Sequence, residues 1–244
     1  MPIRPLLRAL LSALTLLCLA ATAQADELAD FNAAVERASS HHRVVLGYLR
    51  TGNVDLAVME LERMGDAWSR VTDRFGKSPP TPFRNNPLFG QAMLDVPTRL
   101  ATASILINVG RIDAARAGLA EIRVVLAKMR RASGVEVLAD CVLDANGAMD
   151  TLMVFRDARP DWSKAEVGAD VKTKGAAYET LLRRCDAMAA PAVRNDPEFR
   201  RLIDGALAST AQIPKAVETQ DSDLLVRLLI ELRSFDNLLA FRFG

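Results

Sequence analysis

Arg84-Asn85-Asn86-Pro87-Leu88-Phe89 returns 110 residues later as Arg194-Asn195-Asp196-Pro197-Glu198-Phe199. At the same offset Leu28-Ala29-Asp30 becomes Leu138-Ala139-Asp140, and Asp113, Leu119, Glu121 and Arg123 become Asp223, Leu229, Glu231 and Arg233. Three separate segments in one gapless register predict a duplicated structural unit. In both copies Asn or Asp stands directly before Pro. An acceptor side chain at the cap, followed by a residue that has no N–H to satisfy, is how a helix starts.

The apolar pattern follows the same offset. Leu28, Phe31, Val35, Ala38, His42, Val45 and Leu49 step by three and four, the seam of an amphipathic helix. Their counterparts are Leu138, Cys141, Ala145, Ala148, Leu152 and Phe155. A second seam runs Val54, Ala57, Leu61, Met64, Trp68, Val71, Phe75, with Val171, Lys174, Tyr178, Leu181 and Cys185 in the later copy. A third helix starts at each Pro. A fourth carries Ile112, Ala115, Leu119, Ile122, Leu126 and Met129, and later Leu225, Leu229, Leu232 and Leu239. Short links such as Thr51-Gly52-Asn53 make consecutive helices antiparallel neighbours, and Gly76 to Pro82 and Asp157 to Asp170 read as longer loops. The expected architecture is all-α, a tandem duplication of an antiparallel four-helix bundle, with units at 26–133 and 134–244. A helical-hairpin solenoid is the alternative. Gly52-Asn53-Val54-Asp55-Leu56-Ala57 and Gly110-Arg111-Ile112-Asp113-Ala114-Ala115 look like tetratricopeptide hairpin turns, but they lie 58 residues apart and do not propagate at the ~34 of such repeats.

Pairing residues equidistant from the first hairpin turn sets Ala38 against Trp68 and, one unit later, Ala148 against Tyr178. A small residue meets a large one in both copies, as dense core packing requires. The same pairing sets Phe31 against Phe75 and Cys141 against Cys185, so a disulfide is expected where the first unit has an aromatic contact. Two buried free thiols are the alternative.

Residues 1–25 read as a signal peptide: Arg4 and Arg8 precede an apolar run from Ala9 to Ala21, and Ala23-Gln24-Ala25 offers a small-x-small cleavage site. Cys18 follows Leu17, whereas lipid attachment at such a cysteine wants a small residue before it. Cleavage would leave 219 residues carrying 29 basic and 30 acidic side chains, because the segment holds two arginines and no acid. That balance, without a basic cluster, excludes an electrostatic footprint for nucleic acid. No later apolar run spans a bilayer, so a periplasmic product without a transmembrane segment is expected, in a compartment that permits disulfides.

His41 and His42 are the only histidines. His42 lies in the first seam, and the hairpin pairing places Met64 across from it. An imidazole with a thioether is a ligand pair for haem b or copper. The simpler reading is a hydrogen-bonded core histidine beside a methionine that fills space, with no cofactor. Cys-x-x-Cys-His, His-Glu-x-x-His and Glu-x-x-His are absent from the chain, as is a glycine-rich phosphate loop. Without a nucleophile-base pair, no enzyme is expected.

The final helix is apolar on more than one face, with Leu224, Leu225, Leu228, Leu229, Ile230, Leu232, Phe235, Leu238, Leu239 and Phe241 among its residues. It is expected to meet its counterpart or to form a homodimer or a surface for a periplasmic protein partner. Its end, Ser234-Phe235-Asp236-Asn237-Leu238-Leu239-Ala240-Phe241-Arg242, is similar to the end of cytochrome c′-type four-helix bundles, where Cys-x-x-Cys-His-x-x-Phe-Arg attaches haem. Phe241 and Arg242 match; Ser234, Asn237 and Leu238 stand where the cysteines and histidine would be. The resemblance implies a haemless relative, with no haem ligand to carry over. The functional expectation is a non-catalytic exported binding or interaction module, with a haem- or copper-binding electron-transfer or metal-handling bundle as the alternative.

Overall fold

The computed structural model describes the backbone from residue 4 and side chains from residue 27 to the end. The signal-peptide expectation over 1–25, and Cys18 with it, therefore lies outside the fully described residues. The chain is all-α, with no strand among the described residues, and it divides into two compact units, Met1–Val135 and Glu136–Gly244.

Unit 1 consists of α1 (Arg4–Thr51), α2 (Val54–Phe75), a 3-10 turn at Thr81–Phe83, α3 (Pro87–Asn108) and α4 (Ile112–Arg131). Helix α1 packs on α2, α2 on α3, α3 on α4, and α4 returns to α1. The seams read from the sequence are the buried ones: Phe31, Val35, Ala38, His42, Val45 and Leu49 on α1, Ala57 to Phe75 on α2, and Ala115 to Met129 on α4. At one end Phe31 meets Phe75 edge-on at 5.3 Å and Phe83 at 5.2 Å, and Phe83 stacks on Phe89 at 5.5 Å.

Unit 2 consists of α5 (Leu138–Asp157), α6 (Ala165–Met188), α7 (Pro191–Arg194), α8 (Pro197–Thr210), α9 (Ile213–Glu218) and α10 (Ser222–Phe243). Here α5 packs on α6, α6 on α8, α8 on α10, and α10 on α5. Three details differ from the sequence reading: first, the buried row of α6 passes through Gly175 and Leu182 in place of Lys174 and Leu181. Helix α6 begins at Ala165, so Asp170 is helical and the link after Asp157 is shorter than expected. The helix starting at Pro197 stops at Thr210, and a separate turn of helix follows with Pro214 near its start, where a ring without N–H cannot continue the preceding ladder.

The caps explain the boundaries. Asn86 Oδ1 accepts the Leu88 N–H at 2.9 Å, and Asp196 Oδ1 accepts those of Glu198 and Phe199 at 2.9 and 3.0 Å. Asn86 also donates to the Met129 carbonyl at 2.8 Å, tying the start of α3 to the end of α4. Helices α1 and α3 end on Gly52 and Gly110 at φ +78° and +75°, and the next residue's N–H bonds back five residues, to Tyr48 and Leu106. Glycine suits this left-handed closure because it has no Cβ to clash. The same closure before α10 falls on Gln220, at φ 52°, with Asp221 N–H bonding the Ala216 carbonyl.

Candidate functional site

His42 is 1% exposed on α1. Its Nε2 lies 2.8 Å from the Leu119 carbonyl of α4, so that nitrogen carries the proton and donates. Burial takes its pKa down to about 4; the Leu119 carbonyl opposes that fall, and the charges of Arg123 and Arg43 add to it. The imidazole is thus a neutral cross-link between α1 and α4. Met64, on the adjacent α2, is also buried. Ligation of haem or copper through His42 Nε2 would break the Leu119 bond. No group of three or more His, Cys, Asp or Glu suited to a metal occurs among the described residues.

His41, one residue on, points to α2. Its Nδ1 lies 2.7 Å from Glu60 Oε2, while Arg63 reaches Glu60 Oε1 at 2.5 Å. Burial alone would raise the Glu60 pKa, but the hydrogen bonds from His41 and Arg63 outweigh it and hold the carboxyl below its ordinary value.

In unit 2, the Cys141 and Cys185 sulfurs are 2.15 Å apart with Cα atoms at 5.5 Å, the separation of a disulfide joining α5 to α6. Positions 141 and 185 lie 110 residues after Phe31 and Phe75, so a covalent link occupies the place of the edge-on ring pair.

A second buried polar group in unit 2 escaped the sequence reading. Asp236 is 1% exposed on α10, accepting from Asn146 Nδ2 at 2.8 Å and from Arg233 at 3.0 Å, and Arg233 also reaches Asp150 at 2.5 Å. Burial first, and the Asp236 carboxylate second, push the Tyr178 phenol well above its usual value, so it stays protonated. Tyr178 and Asp236 are both closed to solvent, and the bonds from Asn146 to Asp236 and from Arg233 to Asp150 tie α5 to α10. Its place was legible: 236 falls between Leu232 and Leu239 at the spacing of the α10 seam. Spacing places Asp236 and its i,i+3 partner Arg233 on one helix, whereas the fold brings Asn146 from α5.

Ser234, Asn237 and Leu238, which stand where a haem-attachment motif would have its cysteines and histidine, are exposed on α10, with Ser234 donating to the Ile230 carbonyl at 3.0 Å. Phe241 and Arg242 are exposed as well.

The outer face of α3 has a different character. Leu94 is 72% and Ile105 65% exposed; Gly90, Pro97, Thr98, Ala101, Thr102 and Asn108 share this side, and Val109 follows at 63%. No residue on this face is charged. The two charged residues of α3, Asp95 and Arg99, turn toward α4, where Arg99 donates to the Gly118 carbonyl at 3.3 Å and both line a hollow with Glu121 and Lys128. No helix of the described residues is long and apolar enough to cross a membrane. No family model, curated protein or solved structure matches this chain.

Proposed function

We propose that the chain is a non-catalytic, exported binding module built from two copies of a four-helix bundle, and that its interaction surface is the uncharged outer face of α3. That face carries the reading. Water-exposed helices ordinarily bear charge at most outward positions, and a contiguous apolar stripe on a small domain marks an interface. The occupant we assign is a second copy of this chain. In a two-fold antiparallel contact centred on Ala101, small residues meet at the axis, while Leu94 and Ile105 fall opposite Asn108 and Pro97. A face without charges brings no like charges together across the axis, which a self-complementary contact requires. The outer face of α10, which also exposes Ile230, Leu238 and Phe241, is less suited because Arg227, Glu231 and Arg242 stand beside them.

Duplication is supported by helix starts that recur at the repeat offset, Pro87 with Pro197 and Ile112 with Ser222. A non-catalytic role is supported by the engagement of the usual reactive groups: His42 with a carbonyl, His41 with Glu60, and Cys141 with Cys185. Export to the periplasm and descent from a haemless cytochrome c′-type bundle belong to the same proposal, resting on residues 1–25 and on the α10 terminus. Sedimentation velocity tests the dimer: the purified protein should sediment as a dimer at micromolar concentration, and Ile105→Glu should make it a monomer with unchanged helicity. A wild-type monomer, or a dimer lost in Leu238→Glu but not in Ile105→Glu, overturns the assignment of α3.

A further inference from the structure

The sequence shows no basic cluster because its members are dispersed, but the α1–α2 hairpin gathers three arginines and a histidine into one groove. The groove has a volume of about 260 Å³, with a floor made by Ala34 and Ala67, both buried. Arg37 and His41 rise from α1, and Arg63 and Arg70 from α2. Each pair keeps one helical face, four residues apart on α1 and seven on α2. Cross-helix bonds bracket the groove at its two ends: Asp30 with Arg74 on one side, His41 with Glu60 on the other. The walls are therefore held in register by contacts that do not use Arg37 or Arg70.

The charge balance is what points to a ligand. Glu60 is taken by His41 and Arg63. Ser40 turns its hydroxyl to the Arg37 carbonyl at 2.8 Å. Asp66 is the one acid lining the groove. The guanidinium groups of Arg37 and Arg70 have no hydrogen-bond or ion-pair partner among the described residues. Elsewhere in unit 1 Arg43, Arg74, Arg84 and Arg116 each pair with a carboxylate, and the other arginines without a partner among the described residues, Arg50 and Arg111, stand singly at helix ends outside the groove. In addition, the positions 110 residues after Arg37, His41, Arg63 and Arg70 are Gly147, Thr151, Thr173 and Thr180. The apolar rows that build the core recur between units, whereas this set occurs once, so packing does not require it.

We propose that this groove is a binding site for a phosphate-type oxyanion, free or as the terminal group of a small phosphate monoester, held between Arg37 and Arg70 with Arg63 adding charge. Guanidinium offers paired N–H donors that match oxyanion geometry, and one group from each wall clamps an anion from two sides. Asp66 opposes a fully ionised ligand and sets the affinity below that of an all-basic pocket. The site is independent of the α3 dimer contact.

Isothermal titration of the purified protein at fixed ionic strength tests it, with inorganic phosphate and glycerol phosphate as probes and acetate as the control. Either phosphate probe should bind with one site per chain. Tighter binding of the monoester identifies an organic ligand, and equal binding identifies the free ion. Arg37→Gln with Arg70→Gln should weaken it by about tenfold or more, while Arg37→Lys with Arg70→Lys, which keeps the charge, should lose less. Both arginines are exposed, so circular dichroism and melting of the ligand-free variants should match the parent. Absence of binding by both probes overturns the proposal, as does binding that survives the double Gln variant or is equalled by acetate.

Discussion

Lowering the pH from 7.5 to 5 should destabilise unit 1 through His42. The side chain is buried and neutral in the folded state, with a pKa of about 4 against 6.5 for a free histidine. Between those values the unfolded chain binds a proton that the folded chain refuses, so stability is full above 6.5 and is lost as pH falls toward 4. At about 1.4 kcal/mol per pH unit, the gap between the two values is worth about 3 kcal/mol once both limits are passed, and about 2 kcal/mol is already lost at pH 5. That is a large share of the 5–15 kcal/mol total typical of a small domain. With a urea slope of about 1.5 kcal/mol per molar, the midpoint should fall by roughly 1.3 M. Trp68 is buried in unit 1 and Trp162 lies in unit 2, so fluorescence in a Trp162→Phe background follows unit 1 alone. His42→Gln supplies the control: its amide nitrogen stands in for the imidazole Nε2 and still donates to the Leu119 carbonyl, but does not titrate. The variant should be less stable at pH 7.5 and much flatter between pH 7.5 and 5, with His41 common to both proteins. Parallel pH slopes in parent and variant would refute the reasoning, because the acid sensitivity would then arise elsewhere.

Three further expectations concern the backbone and the core. Cys141 and Cys185 are 44 residues apart, and closing a loop of that size removes about 4 kcal/mol of unfolded-state entropy; reduction should lower the unfolding midpoint of unit 2 and leave unit 1 unchanged, and both thiols should resist alkylation until reductant is added. Gln220 is the one non-glycine residue at positive φ among the described residues, where Gly110 serves the corresponding turn; Gln220→Gly should stabilise unit 2 by up to about 1 kcal/mol, measured by thermal denaturation. Gly205 on α8 sits so close to α10 that an added Cβ would lie 2.5 Å from the Phe235 ring. The helix propensity gained in Gly205→Ala is about 1 kcal/mol, and overpacking costs about 1–3 kcal/mol, so a lower melting temperature is expected.

Much of this structure is carried by local chemistry that a reader of the chain can follow. Asn86-Pro87 and Asp196-Pro197 start helices because a cap acceptor and a ring without N–H satisfy the first turn wherever the helix goes. The three-four spacing of Phe31 to Leu49 and Ala57 to Phe75 identifies the buried rows, since a helix has only one face to give to a core. Counting from the Gly52 turn even set the register: Phe31 meets Phe75, and the Cys141 and Cys185 sulfurs lie at bonding distance. Tertiary structure decided what spacing cannot express. The α10 seam includes position 236 with Arg233 one turn before it, but only the approach of Asn146 from α5 completes the partners of a buried aspartate there. His42 belongs to the α1 seam by period, and its commitment to Leu119 depends on α4 returning to α1 across 77 residues of chain. The groove of Arg37 and Arg70 is likewise invisible along the sequence, where the two stand on opposite arms of the α1–α2 hairpin with the Gly52 turn between them. Periodicity reports which side of a helix is buried; partners, charge balance and protonation follow from which other helix is brought against it.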